Sequence, residues 1–167
     1  MKTTKNDGAD AAGTIMILFL DFDGVLHPDP CDEGERFSRL PAFEALMRDF
    51  PAVEIVVSSS WRVARTLDDL RAFFATDIAQ RIIGVTPPDS REFPELAQII
   101  GPGYFRQIEI EAWIRHFGRA REPWLVLDDR AYLFRPFLPN LILCDGDTGL
   151  TPAVEEKLRQ KLNHHSQ

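Results

Sequence analysis

Two carboxylates separated by a single residue form the strongest chemical signal in this 167-residue sequence. Asp21 and Asp23 directly follow an apolar run at 15–20, and Gly24 comes next. Burying carboxylates at the tip of an apolar strand is unfavourable unless a cation or hydrogen bonds replace the lost solvation. Carboxylate oxygens suit a hard cation, and we predict Mg²⁺ as the cofactor.

Two such carboxylates can divide the work of phosphoryl transfer. One of them can attack phosphorus to form an aspartyl-phosphate, while the metal neutralises the charge of the phosphate. The second can protonate the leaving oxygen and later activate water. A hydroxyl group and a basic side chain would bind the remaining phosphate oxygens.

Other polar side chains follow the predicted strands further along the chain. Ser58 comes directly after an apolar run at 53–57, and Asp128 and Asp129 come after one at 124–127. Ligands of open α/β sheets bind beyond the carboxyl ends of the strands, where these residues would meet Asp21 and Asp23. No Cys/His cluster offers a zinc site.

Strands and helices alternate along the sequence. Apolar runs predict strands at 14–21, 53–57, 81–85, 124–127 and 140–144, and helical spacing predicts helices at 43–50, 63–74, 104–117 and from Pro152 onward. This alternation predicts an α/β fold, in which helices cover both faces of one parallel sheet.

One domain accounts for most of the chain. We expect it to span 14–163, between a flexible N-terminal tail at 1–13 and a C-terminal tail at 164–167. His27, in a His-Pro loop, is interpreted as a turn residue, and Trp61 as a core residue.

Composition narrows the class of protein. The 19 basic and 26 acidic residues give a net charge of −7, which excludes a generic nucleic-acid coat protein but allows a local site for one phosphorylated end. Cys31 and Cys144 show no metal spacing and are expected to be free thiols in a reducing, cytoplasmic compartment. We expect no signal peptide, no transmembrane segment and no membrane partner.

Several motifs resemble a known superfamily. The stretch Asp21-Phe-Asp23-Gly-Val resembles the first motif of the haloacid-dehalogenase (HAD) superfamily of phosphatases, Ser58 its second and Asp128-Asp129 its fourth. The segments 58–62, 106–113 and 148–152 resemble a subgroup, the HAD domains of Swiss-Army-Knife RNA-repair proteins. The resemblance implies a single doubly wound, Rossmann-like domain.

The resemblance also implies a role at each matching position. Asp21 would be the nucleophile and a metal ligand, and Asp23 the general acid and base, with its backbone carbonyl on the metal. Ser58 would bind the phosphate. Asp128 and Asp129 would complete the metal site, directly or through water.

The third motif of the superfamily, usually a lysine, has no match here. All four lysines lie near the ends of the chain, at positions 2, 5, 157 and 161. We expect Arg106, at the start of a predicted helix, to bind the phosphate instead, because arginine contacts phosphate through two donors. Arg62 is predicted to add a second phosphate contact.

The loops are too short for the lid domain that the superfamily often carries. Only a loop and one helix fit between Asp23 and Ser58, and the spare length before Asp128 is limited to 86–103. An open site favours a large phosphorylated substrate, such as a polynucleotide end or a phosphoprotein, or a partner protein that supplies the lid.

Three alternatives remain open. A dehalogenase of the same fold would not need the acid and base Asp23. The missing motif lysine favours a phosphate-binding or regulatory module without turnover. A phosphatase active only inside a repair complex would act on phosphorylated oligonucleotides and not on small esters.

Overall fold

The computed structural model describes residues 14–165, whose strands form one five-stranded sheet. The strands are β1 (Met16–Leu20), β2 (Val53–Val57), β3 (Ile82–Val85), β4 (Trp124–Asp128) and β5 (Leu141–Leu143). Every neighbouring pair is parallel, in the order β3-β2-β1-β4-β5. The strand order reverses between β1 and β4, which is where sheets of this kind bind ligands. The predicted doubly wound α/β fold is confirmed.

Helices connect the strands. They are α1 (Leu40–Arg48), α2 (Leu67–Arg71), α3 (Thr76–Ala79), α4 (Pro94–Ile100), α5 (Phe105–His116) and α6 (Pro152–His165), with 3₁₀ turns at 33–35, 60–63, 90–92 and 131–133. One helix expected over 63–74 is instead a 3₁₀ turn followed by the short α2. Thr66 and Asp69 form a capping box that begins α2 at Leu67.

The structure describes part of the predicted C-terminal tail and none of the N-terminal one. The N-terminal one, 1–13, lies outside the described residues. The C-terminal one was expected to begin at 164, but α6 continues through His164 to His165. Residues 166–167 are outside the described part of the chain.

Side chains of β1 alternate between two cores. Ile17 and Phe19 pack on the α5 side, together with Trp113. Leu18 and Leu20 belong to the larger core that residues of α1 and α6 complete. All of β1 is buried, because helices cover both faces of the sheet, and this explains the uninterrupted apolar run.

Strand register places four polar residues in one row. Leu20 pairs with Val57 on one side and with Leu127 on the other, and Val57 pairs with Val85. The next residues along these strands are Thr86, Ser58, Asp21 and Asp128. The backbone N–H groups of three of them continue the ladder, to the carbonyls of Val57, Leu20 and Leu127 respectively. Neighbouring strands lie about 4.8 Å apart, so the side chains of this polar row are close neighbours.

Two further expectations concern the chain as a whole. Cys31 and Cys144 both lie among the described residues, and neither forms a disulfide. Between residues 14 and 165 we find no helix with the length and apolar character needed to cross a membrane.

Arg81 fastens the end of α1 to the start of β2, and we predict that Arg81→Leu destabilises the fold. Its guanidinium donates to the carbonyls of Met47, Phe50 and Val53 at 2.7, 2.7 and 2.9 Å. Losing these charge-assisted bonds should reduce the free energy of unfolding by about 2–3 kcal/mol, as measured by urea denaturation. Arg48→Leu is the control, because Arg48 pairs with Asp77 at an exposed position and should cost less than about 1 kcal/mol. Equal losses in both variants would contradict this prediction.

Candidate active site

Three carboxylates converge at the carboxyl edge of β1 and β4. Asp21, Asp128 and Asp129 each offer an oxygen, and these oxygens all lie within 4.8 Å of one another. Asp21 and Asp128 are 3% and 0% exposed. Three negative charges at this separation in a buried place repel one another strongly unless a positive charge is near.

Arg106, in the first turn of α5, places one positive charge next to these carboxylates. Its Nη1 lies 2.9 Å from Asp21 Oδ2 and 2.7 Å from Asp128 Oδ2. Burial alone would lower the pKa of Arg106, but the charges of Asp21 and Asp128 outweigh it and raise the pKa above its ordinary value. The structure therefore brings the predicted arginine to the acidic cluster, and its contact with phosphate stays a prediction.

One guanidinium does not neutralise three carboxylates. Burial, and then the charge of Asp21, raises the pKa of Asp128 to about 7 and that of Asp129 to about 6. No hydrogen bond from a described residue reaches Asp129 Oδ1, although the atom is buried. Among residues 14–165 the nearest cation is Arg130, whose Nε lies 4.0 Å from that oxygen.

Two glycines leave space for the side chain of Asp129. A Cβ at Gly24 would lie 2.3 Å from Asp129 Oδ2, and one at Gly146 would lie 2.7 Å from it. Gly24 also has a φ of +72°, which side chains rarely tolerate. Three oxygen ligands, an orphaned carboxylate oxygen and excess negative charge together fit a hard divalent cation.

Asp23 lies apart from this acidic cluster. Its side chain is 26% exposed, and its Oδ1 lies 2.9 Å from His27 Nε2. The indole N–H of Trp61 lies 3.0 Å from both Asp23 oxygens. The interpretation of His27 as a turn residue and of Trp61 as a core residue missed these contacts, and nothing in their spacing indicates them.

Two buried hydroxyls continue the polar row on the other side of Asp21. Ser58 and Thr86 are 0% and 1% exposed, and no described residue hydrogen-bonds to Ser58 Oγ or Thr86 Oγ1. Thr86 was not predicted as a site residue. It follows the strand β3 as Ser58 follows β2, so the same strand-end pattern would have found it.

Arg62 is engaged by the protein itself. All five donors of its guanidinium are used, by the carbonyls of Ser58, Ser59, Thr86 and Pro87 and by Glu109 Oε2. Its side chain is 4% exposed, and burial lowers its pKa while Glu109 opposes that shift. The predicted phosphate contact of Arg62 conflicts with this geometry, because no donor is left for a ligand. We interpret Arg62 as the residue that holds the ends of β2 and β3 together.

Comparison with known proteins identifies a family. A family model described as "HAD domain in Swiss Army Knife RNA repair proteins" matches residues 17–154. The matched segment extends from the second residue of β1 to the first turn of α6 and contains every side chain of the candidate site. No curated protein and no solved structure matches the chain.

If Arg62 serves to hold the ends of β2 and β3 together, Arg62→Lys will lower the stability of the fold and leave the affinity for phosphate unchanged. Lysine has three donors and no planar fork, so we expect a loss of about 2–3 kcal/mol in the free energy of unfolding. The Kd for inorganic phosphate, measured by calorimetry, should change less than about threefold, since no contact with the ligand is lost. The exposed Arg91→Lys is the matched control. A large rise in the Kd with unchanged stability would instead support the predicted contact between Arg62 and phosphate.

The charge imbalance predicts a pH-dependent effect of Asp129→Asn on the metal-free protein. The folded-state pKa of Asp129 is raised from 3.8 to about 6, so its contribution to stability is present below pH 3.8 and is lost as the pH rises through about 6. Asparagine removes that loss. Relative to the wild type, the variant should therefore gain about 1–2 kcal/mol between pH 4 and pH 8, measured by urea denaturation in a chelator. A difference in stability that stays the same from pH 4 to pH 8 would contradict the prediction.

Proposed function

This chain belongs to the family of HAD domains in Swiss Army Knife RNA repair proteins, and we propose that it is a Mg²⁺-dependent phosphomonoesterase that forms an aspartyl-phosphate on Asp21. Membership of the family confirms the resemblance seen in the sequence and indicates a phosphatase-type hydrolase. The observation that carries the finer proposal is the position of Asp21 in the polar row. It lies between two unpaired hydroxyls on one side and two further carboxylates with Arg106 on the other.

The two sides of the polar row suit two parts of the reaction. Asp21, Asp128 and Asp129 would hold Mg²⁺, together with the backbone carbonyl of Asp23. When bound, the ion offsets the charge of the phosphate and acts as a Lewis acid on it. The unpaired hydroxyls of Ser58 and Thr86, together with the guanidinium of Arg106, would bind the phosphate oxygens.

The contacts of Asp21 suit a nucleophile. The backbone N–H of Phe22 donates to Asp21 Oδ1 at 2.8 Å, and Arg106 approaches Oδ2 at 2.9 Å. Both contacts fix the orientation of the carboxylate. Asp21 attacks phosphorus while the bond from phosphorus to the leaving oxygen breaks, and protonated Asp23 gives its proton to that oxygen. Asp23, now a carboxylate, then takes a proton from water, the water oxygen attacks phosphorus, and inorganic phosphate leaves as Asp21 is released.

The short connection between β3 and β4 supports a polynucleotide end as the substrate. The segment 86–103, which was the spare length available for a lid, forms a 3₁₀ turn and α4. Leu96 and Ile100 of α4 pack on Ile108 and Ala112 of α5. Within residues 14–165 no separate cap domain stands over the acidic cluster. The description of the family, RNA repair, agrees with a phosphorylated RNA end, and a partner protein that supplies a lid is the other arrangement that an open site permits.

Phosphate release with and without Mg²⁺ tests this proposal. The substrates are an aryl phosphate, nucleotides, and RNA and DNA oligonucleotides phosphorylated at the 3′ or the 5′ end. We expect Mg²⁺-dependent release, and Asp21→Asn should lower it by about 10³-fold or more because an amide is no nucleophile. Faster release from oligonucleotide ends than from nucleotides would identify the substrate class.

Asp68→Asn makes the same chemical change at an exposed site and should leave the rate unchanged. Release that persists in Asp21→Asn would contradict the aspartyl-phosphate mechanism. Phosphate or Mg²⁺ binding by folded protein, without turnover of any of these substrates, would favour a phosphate-binding module or a subunit active only in a repair complex.

A further inference from the structure

Asp23 is held by two hydrogen-bond donors, one four residues further along the chain and one in the 3₁₀ turn after β2. His27 Nε2 lies 2.9 Å from Asp23 Oδ1, and Trp61 Nε1 lies 3.0 Å from both carboxylate oxygens. His27 is 3% exposed, so its contact with Asp23 is shielded from water. We call this pair of donors, His27 and Trp61, the Asp23 clamp.

The direction of both hydrogen bonds follows from chemistry. The backbone N–H of Phe37 donates to His27 Nδ1 at 3.4 Å, so Nδ1 is the acceptor and Nε2 the donor of this ring. An indole N–H can donate but cannot accept. Both members of the Asp23 clamp therefore donate to Asp23 and cannot take a proton from it. Oδ1 receives both donors and Oδ2 only the indole N–H, so Oδ2 is the less engaged oxygen and the one that can carry a proton for transfer.

Aromatic packing fixes the Asp23 clamp in place. The indole ring of Trp61 contacts the rings of Phe22, Phe37 and Phe73, with centroids 5.7, 5.4 and 5.5 Å away. The His27 ring lies edge-on to Phe37 at 5.2 Å. Side chains locked by packing hold a reacting group with little freedom, which is what a proton donor needs.

Leaving groups differ in how much they need that proton. A nitrophenolate leaves phosphorus readily without protonation, whereas the alkoxide of a sugar is a strong base and must be protonated as the bond breaks. A well-positioned acid therefore matters most for esters of sugar hydroxyls.

We propose that His27 and Trp61 are positioning residues that hold Asp23 for protonation of basic leaving groups, and that they direct the site to phosphate esters of sugar or other alkyl hydroxyls. This inference rests on the proposed function, because it takes Asp23 as the general acid. It adds two residues that do not touch the substrate, and it names the leaving group of the substrate class.

The test compares leaving groups in variants of the Asp23 clamp. Trp61→Phe keeps an aromatic ring and removes the N–H, His27→Leu removes the donor, and His27→Gln returns an N–H near the position of Nε2. The probes are nitrophenyl phosphate, phenyl phosphate and glycerol phosphate. The ratio kcat/KM reports the step that expels the leaving group, and kcat also includes hydrolysis of the common phosphoenzyme.

We expect a loss that grows with the basicity of the leaving group. For Trp61→Phe and His27→Leu, kcat/KM should fall less than about threefold with nitrophenyl phosphate and about 10–100-fold with glycerol phosphate. His27→Gln should recover most of the loss with glycerol phosphate. Phe73→Leu disturbs the same aromatic packing without removing a donor to Asp23, and it should affect all three esters equally.

The outcomes separate this inference from the proposed function. An equal loss on all three esters in the folded Trp61→Phe variant would overturn the inference and leave the phosphatase intact. Thermal unfolding identifies folded variants, and if His27→Leu does not fold, Trp61→Phe and His27→Gln still decide the question. Wild-type turnover that Asp21→Asn does not abolish would overturn the proposed function and this inference with it.

Discussion

The ion pairs of Arg106 with Asp21 and Asp128 are the constraint on which the rest of the site depends. Parallel pairing of β1 with β4 forces these two carboxylates side by side at the edge of the sheet, where they are buried and repel each other. A buried cation stabilises that arrangement, and α5 carries one in its first turn. One turn further along, Glu109 on α5 pairs with Arg62, which ties together the ends of β2 and β3. A single helix thus stabilises both halves of the polar row.

Helix α5 both pairs with the polar row and packs in the core, and this explains why so many of its residues are buried. Eight of its residues are buried, and they include Arg106 and Glu109 as well as apolar side chains. Polar groups concentrate near the N-terminal end, beside the carboxyl edge of the sheet, and Ile110 and Trp113 lie deeper, in the core with Phe19. The division therefore runs along the helix axis rather than around it. On its other side α5 receives α4, so the chain between β3 and β4 is used to bury this helix and is not left to cover the site.

The sequence predicts those features of the structure that a pattern of residue types encodes, and it misses those that depend on the path of the backbone. Strand positions and the convergence of Asp21, Asp128 and Asp129 follow from apolar runs and parallel topology, and the prediction recovered them. Thr86 also directly follows a predicted strand, but the Pro- and Gly-rich segment that begins with it was not interpreted as part of the site. The partners of Arg62 are backbone carbonyls of two strand ends, and no pattern of residue types shows which carbonyls a fold will turn inward. The contact of His27 with Asp23 depends likewise on the path of a loop.

The two aspartates of the first motif share a residue type and differ in everything around them. Asp21 is buried between a guanidinium and a backbone N–H, so its carboxylate is held in one orientation within the protein. Asp23, only two residues away, is 26% exposed and is held by the N–H groups of His27 and Trp61, so solvent can reach it. A phosphatase mechanism needs one carboxylate that stays charged and one that cycles between two protonation states. The turn after β1 separates these two environments, and the chemistry proposed for the site follows from that separation.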